Sequence, residues 1–474
     1  MSALPGTIDV EVFHKYAGLA LPRHVAYPMP TWWQEIGPVE ADAMFRASRT
    51  RKPAPDLSLY IHVPFCEASC RYCGCTRVWQ GKCKEESIAR TTAYVESLEK
   101  EIVNLSAVLG RGSPVRQIHW GGGTPSYVGA EALTRIHSAV AKVFTVVPDA
   151  EISIELDPRV TQPPMLAALR ALGFNRVSLG VQDFDEQVQR HIGRVQSVEL
   201  VRDVVARCRE LGIESVNFDL IYGLPFQTLD SVRATLQNTI DLDPDRIAFY
   251  QYAQIPEKLA VQRGLDHSRL PDSDVKLEMY MLAQEMLPVA GYLFIGLDHF
   301  AKPNERLAVA MREGTLQRNF QGMTTGRGLD LIGIGASSIG QLGKIGYLQN
   351  RRDADEYIRT MQGGGSPVYR GKRFTDDDLV RQAVINQIYC RAEIRPAEIE
   401  AETGVDFEDY FVRELGILAE LAADGLIEPL IDGGHRLTDP LGRVLMRTVG
   451  AVFDHYLPPD AYRVGDRQYF SANA

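Results

Sequence analysis

Between about residue 57 and residue 300, short β-rich runs alternate with helix-length segments, and this alternation restricts the fold more than any other feature of the sequence. Each β-run followed by an amphipathic stretch reads as one βα unit, and repeated units set successive strands parallel in one sheet with helices packed against it. The runs are LSLYIHV (57–63), RQIHW (116–120), EISIEL (151–156), RVSLGV (176–181), SVNFDLI (215–221) and RIAFYQY (246–252), with LFIGL (293–297) as a candidate seventh. Between the second and third, Leu133, Ile136, Val140 and Phe144 recur at helical spacing. An α/β fold built on a full or partial barrel is predicted.

In such a barrel the active site is assembled from the loops at the C-terminal ends of the strands. The polar residues gather there. His62 and a group of cysteines follow the first strand, Gly121, Gly122 and Gly123 follow the second, Glu155 and Asp157 end the third, and Gln182 follows the fourth. Asp219 and Tyr222 end the fifth, and Tyr250 and Tyr252 the sixth.

At 474 residues the chain is long for one domain, and three units are expected: an N-terminal arm (1–50), a catalytic unit (51–365) and a mostly helical C-terminal domain (366–474). The arm, with YPMPTWW, shows little period and reads as irregular. RNFQGMTTGRGLDLIGIGASSIG is rich in glycine and reads as a loop across the barrel mouth. After GGGSP (363–367), Thr375 and Asp378 form a capping-box pattern, and DGLIEPLIDGGHRLTDPLG reads as a hairpin before a last helix. No window is apolar enough to span a bilayer and the N-terminus lacks a secretory pattern, so a cytoplasmic location is expected. A formal charge of −10 spread along the chain argues against a nucleic-acid binder.

Seven cysteines are present, and Cys66, Cys70, Cys73 and Cys75 fall within ten residues. So tight a cluster reads as metal ligation rather than a disulfide framework. The spacing Cys66-x3-Cys70-x2-Cys73, in a loop straight after a strand, suits three irons of a [4Fe-4S] cubane and leaves the fourth iron open to chelate S-adenosylmethionine (SAM). A zinc site normally shows two separated pairs, and no second pair exists here. A closed four-cysteine cluster using Cys75 is the other alternative, strained by its single-residue spacing from Cys73. Cys83, Cys208 and Cys390 read as packed thiols. The glycine run allows a backbone to approach a bound SAM closely, although a plain tight turn has the same composition. Tyr60, Glu155, Gln182, Arg194 and Asp219 are single polar residues placed to hold a nucleoside cofactor or to pack inward.

The stretches YIHVPFCEASCRYCGC, HWGGGTPSY, EISIELDPR, FNRVSLGVQDF, DLIYGLP, FIGLDHFAKP, REGTLQRNFQG and TTGRGLDLIGIG together resemble the radical SAM superfamily. Within it they resemble the oxygen-independent coproporphyrinogen III oxidases, whose extra cysteine corresponds to Cys75. The resemblance implies a partial (β/α)6-type, TIM-like barrel with an N-terminal arm and a C-terminal helical domain. It implies decarboxylation of two propionates of coproporphyrinogen III, or a related tetrapyrrole, to the vinyl groups of protoporphyrinogen IX. Two SAM molecules are implied: Tyr60, Gly122, Glu155 and Ile339 match positions around the cluster-bound one, and Tyr72, Gly123, Thr124, Gln182, Arg194, Asp219 and Ala253 match positions around the second. Tyr60, Glu155, Arg318 and Gln321 are the candidate catalytic or substrate residues. A low-potential flavodoxin- or ferredoxin-like electron donor and a monomeric state are further expectations. The chain departs from the family pattern in RHVAYP (23–28), where RYTSYP is usual, and at Met323, where tyrosine is usual. Competing readings are a heme chaperone on the same fold, a related radical enzyme acting on another porphyrinoid, and a winged-helix use of the C-terminal domain, against which its acidic composition speaks.

Overall fold

The computed structural model describes residues 8–19, 21–80 and 85–458. Six strands, β1 (Leu57–Val63), β2 (Pro114–Gly122), β3 (Thr145–Leu156), β4 (Arg176–Gln182), β5 (Ser215–Tyr222) and β6 (Arg246–Gln251), pair parallel in sequence order. Each strand alternates two kinds of side chain. Leu57, Leu59, Ile61, Ile118, Trp120, Ile154, Val177, Leu179, Phe218, Ile247 and Phe249 join one apolar core with the surrounding helices. The intervening Ser58, Gln117, His119, Ser153, Glu155, Ser178, Asn217, Asp219 and Tyr250 line the barrel interior. Because successive residues of a strand point to opposite faces, the period-two pattern produces a barrel that is apolar outside and polar within.

LFIGL is not a seventh βα unit. It forms β7 (Leu293–Gly296), which returns through a tight turn, with Leu297 at φ +50°, to β8 (His299–Ala301). A short turn permits only antiparallel pairing, since parallel neighbours need a long crossover. Accordingly β8 runs antiparallel to both β6 and β7 and lies between them.

The glycine-rich segment is likewise more ordered than a loop. Residues 317–319 and 322–324 form a hairpin, and β9 (Asp330–Ile334) pairs parallel with β1 on its free side. Three antiparallel strands follow: β10 (Ile339–Leu342), β11 (Gly346–Asn350) and β12 (Val368–Arg373), so the sheet stays open. The glycines serve close packing between strands. A Cβ on Gly333 would lie 2.8 Å from the Ile339 backbone, and one on Gly340 the same distance from the Leu331 carbonyl oxygen.

The arm holds two helices, Val10–Ala17, capped by the Asp9 side chain, and Pro38–Arg49. Phe13, Tyr16 and Tyr27 share a second core with Val384, Ile388, Leu418, Leu445 and Val449, whereas Met44 and Phe45 belong to the barrel core. In the C-terminal region Thr375 and Asp378 form the expected capping box on helix Asp376–Arg391. The hairpin Ile427–Pro429 with His435–Leu437 precedes the last helices.

Candidate active site

The loop after β1 is pinned to its neighbours by backbone hydrogen bonds. Val78 N–H donates to the Pro64 carbonyl at 2.7 Å, Gly123 N–H to Val63 at 2.8 Å and Thr124 N–H to Phe65 at 2.8 Å. This explains the triple glycine. A Cβ on Gly123 would stand 2.6 Å from the Pro64 carbonyl carbon, one on Gly122 2.5 Å from the His62 ring, and one on Gly121 2.7 Å from Glu155 Oε1. Gly122 also has φ +114°, where other residues are strained. Gly123→Ala is therefore expected to cost about 1–3 kcal/mol by overpacking and to reduce iron uptake on reconstitution, seen as a lower thermal midpoint together with lower iron content.

Cys66, Cys70, Cys73 and Cys75 all line a cavity of about 360 Å³ inside the barrel. Cys66 and Cys70 are buried, Cys73 half-buried and Cys75 exposed. Positive charge surrounds them. Arg159 and Arg194 place guanidinium nitrogens 3.5 and 3.6 Å from Cys70 Sγ, and both also bond Asp157, at 2.7 and 3.1 Å. Thr124 Oγ1 donates to Cys66 Sγ at 3.7 Å, and Arg77 donates to the Cys70 carbonyl at 3.0 Å. Burial pushes the Cys66 thiol up to about 11, while a hydrogen bond from Cys75, aided by Arg77, draws Cys73 down. Cys208 and Cys390 are buried thiols away from this loop, and Cys83 lies outside the described residues.

Across the cavity, Glu155 accepts from His119 Nε2 and from Gly122 N–H, each at 3.1 Å. Burial alone would raise its pKa, but the His119 bond and charge and the Gly122 amide hold the carboxyl below its usual range. Asp219 behaves oppositely. Burial, then the nearby Glu155 charge, push it up to about 6, although Ser178 and Asn217 donate to it. With a folded-state pKa above the unfolded one, the stabilisation is present at low pH and lost as pH rises through about 6. Relative to Asp219→Asn, the cofactor-free protein should lose about 2 kcal/mol between roughly pH 4.5 and 7.5, measurable as diverging urea midpoints.

Of the residues singled out in the sequence, Tyr72, Gly122, Gly123, Thr124, Glu155, Gln182, Arg194, Asp219 and Gln321 line the 360 Å³ cavity with the cysteines. Gln182 does so with a positive φ of 69°, an uncommon conformation for a residue other than glycine. Tyr60 stands beside the cavity, stacked on His119 at 5.9 Å and hydrogen-bonded to His62 Nδ1 at 3.0 Å. The carbonyls of Ala253 and Tyr72 are joined through the Gln262 side chain, at 3.0 and 3.2 Å. The Ile339 side chain is buried away from the cavity, among Ala26, Trp33 and Tyr347. Arg318 lines an adjoining cavity of about 1030 Å³, which shares Ser58, Gln117 and Thr324 with the first.

Arg159, Arg77, His119 and His299 were not singled out. Arg159 had a signal, since it stands two residues past Asp157 at a strand end. His299 had no local signal beyond its place in FIGLDHFAKP, because a short edge hairpin carries it to the cavity. Burial, then Arg318 and Arg246, push its pKa down to about 3, so its ring is neutral. His299 Nδ1, Arg318 Nε and Nη1, and Gln321 Nε2 are buried without a hydrogen-bond partner among the described residues.

The donor set fits an iron–sulfur cubane. A cubane takes one thiolate per iron, and Cys66, Cys70 and Cys73 line one cavity wall with Thr124, Arg77 and Arg194 beside them. The glycine cradle beside these thiols is space that any side chain would fill.

An open α/β barrel with a three-cysteine loop after its first strand defines the radical SAM class, and the family model described as the Radical SAM superfamily matches residues 60–238. The oxygen-independent coproporphyrinogen III oxidase of Pseudomonas aeruginosa is 41% identical over 453 residues, covering 95% of this chain and 96% of that protein. The Escherichia coli protein of the same name is 40% identical over 449 residues, with 95% of each chain covered. A solved structure described as coproporphyrinogen III oxidase from Escherichia coli, a radical SAM enzyme, superposes with TM-score 0.87 at 38% identity, covering 95% of this chain and 99% of that one. The chain belongs to the oxygen-independent coproporphyrinogen III oxidase family. It is a radical SAM oxidoreductase that uses a [4Fe-4S] cluster and SAM.

Proposed function

We infer that this chain converts two propionates of coproporphyrinogen III to the vinyl groups of protoporphyrinogen IX without oxygen, with Cys66, Cys70 and Cys73 as the cluster ligands. The observation that carries the substrate reading is the set of buried, unpartnered polar atoms on His299, Arg318 and Gln321. Leaving such groups unmet is costly, and a carboxylate meets several of them at once. When bound, the cluster and SAM supply a 5′-deoxyadenosyl radical that takes hydrogen from unactivated carbon. Each propionate gives up one hydrogen atom from its β-carbon, carbon dioxide and one electron.

The chain's own residues bind and orient. Arg318 and Gln321 hold the carboxylate end of the propionate. His299, kept neutral, donates or accepts a hydrogen bond there without adding charge. Glu155 and the Gly122 backbone hold the first SAM; Tyr72, Gln182, Arg194 and Asp219 surround the second. The 1030 Å³ cavity, lined also by Tyr27, Arg327 and Lys344, suits a tetrapyrrole bearing several carboxylates. Met323 is buried among Ile295, Leu307 and Leu316, which makes this part of the wall apolar where a tyrosine is usual.

Among the described residues no helix is long and apolar enough to cross a membrane, which is compatible with a monomer working in the cytoplasm and fed by a low-potential flavodoxin- or ferredoxin-like donor. The test is anaerobic: reconstituted protein receives dithionite, SAM and coproporphyrinogen III, and 5′-deoxyadenosine and tetrapyrrole masses are followed together. Loss of two carboxyl groups supports the reading. Formation of 5′-deoxyadenosine with an unchanged tetrapyrrole overturns the substrate and leaves the radical chemistry standing.

A further inference from the structure

Arg318 keeps two donors free although it is half-buried, and the way it is held explains this. Its guanidinium carbon sits 5.5 Å from the ring centroid of Tyr389, on helix Asp376–Arg391. A carboxylate in that position would occupy the donors, whereas an aromatic face attracts the cation and leaves its N–H groups available. The ring is itself fixed at both ends. Tyr389 Oη is 3.1 Å from His24 Nδ1, and His24 Nε2 is 3.0 Å from Asp454 Oδ2. A carboxylate only accepts, so Nε2 carries a proton and donates to Asp454, while Nδ1 shares a hydrogen bond with the Tyr389 hydroxyl.

Two further features converge on the same ring. His24 has φ +41°, a conformation held only where surroundings dictate it. A Cβ on Gly450 would lie 2.9 Å from Tyr389 Cε2, so the last helix is cut back to admit the ring. Three separate segments, the arm, helix Asp376–Arg391 and the chain around Asp454, thus meet on one phenol.

We propose that Asp454, His24 and Tyr389 are positioning residues that aim Arg318 at the substrate carboxylate, a role that rests on the reading of Arg318 given above. Removing the ring frees the guanidinium to turn toward other acceptors. Loss of the hydroxyl alone keeps the face but releases its tether.

The test measures KM for coproporphyrinogen III, kcat and substrate-independent 5′-deoxyadenosine formation in the reconstituted enzyme. Tyr389→Leu should raise KM about ten-fold with kcat and SAM cleavage little changed, and Tyr389→Phe and His24→Gln should raise it less. In an Arg318→Met background, Tyr389→Leu should add almost nothing, because the two act as one unit. An equal KM increase in both backgrounds overturns the proposal, since a merely structural role is independent of Arg318. If Tyr389→Leu does not fold, Tyr389→Phe is carried through the same cycle with the same two outcomes. If Arg318→Met itself leaves KM unchanged, the substrate reading of Arg318 fails. If Arg318→Met raises KM and the Tyr389 variants do not, the positioning role alone fails.

Discussion

Serine in place of Cys66, Cys70 or Cys73 is expected to drop bound iron from about four atoms per chain to near zero and to abolish both 5′-deoxyadenosine formation and decarboxylation. The effect is all-or-none because, with these three as ligands, each thiolate supplies the sole protein bond to one iron. A serine hydroxyl, far less acidic than a thiol, does not replace it. Cys75→Ser makes the contrast. Cys75 is exposed and only two residues from Cys73, so the variant should retain its iron and visible absorbance. Iron and acid-labile sulfide analysis of the four variants reads this directly, and full iron in Cys70→Ser would remove that residue from the ligand set.

Replacing Arg318 with lysine is expected to weaken coproporphyrinogen III binding by about 10- to 100-fold, the worth of a charge-assisted, bidentate contact, with SAM cleavage unchanged. Lysine keeps the charge but not the planar fork, and its ammonium sits less well on the Tyr389 ring. Equilibrium binding of the substrate to the reconstituted enzyme, alongside substrate-free 5′-deoxyadenosine formation, separates the two effects. Unchanged substrate affinity would place Arg318 outside the site.

The barrel was legible because a polar residue alternates with a large apolar one along LSLYIHV and EISIEL. That pattern specifies both a strand and which face meets the cavity. The cysteine loop was legible for a different reason, since the three cysteines proposed as ligands lie within eight residues of sequence. What stayed hidden depends on distant partners. Glycines 333 and 340 suggested a loop because composition does not reveal that two strands press together there. His299 reaches the cavity only because β8 inserts beside β6, and His24 acquires its meaning from Tyr389 and Asp454, more than three hundred and sixty residues away. For the arm, local period was weak, yet Phe13 and Tyr16 bury themselves against the other end of the chain.

That shared core joins residues made early in synthesis to residues made several hundred positions later. Helix Val10–Ala17 has no complete hydrophobic seat until the segment around Leu445 and Val449 has left the ribosome. The barrel, whose strands lie next to their sequence neighbours, has no such wait. The large cavity, lined by Tyr27 and by Gln382 and Asn386 of helix Asp376–Arg391, is therefore enclosed only after chain made long after the cysteine loop has emerged. A ribosome-bound chain truncated before residue 440 should leave helix Val10–Ala17 open to protease while its barrel is already resistant.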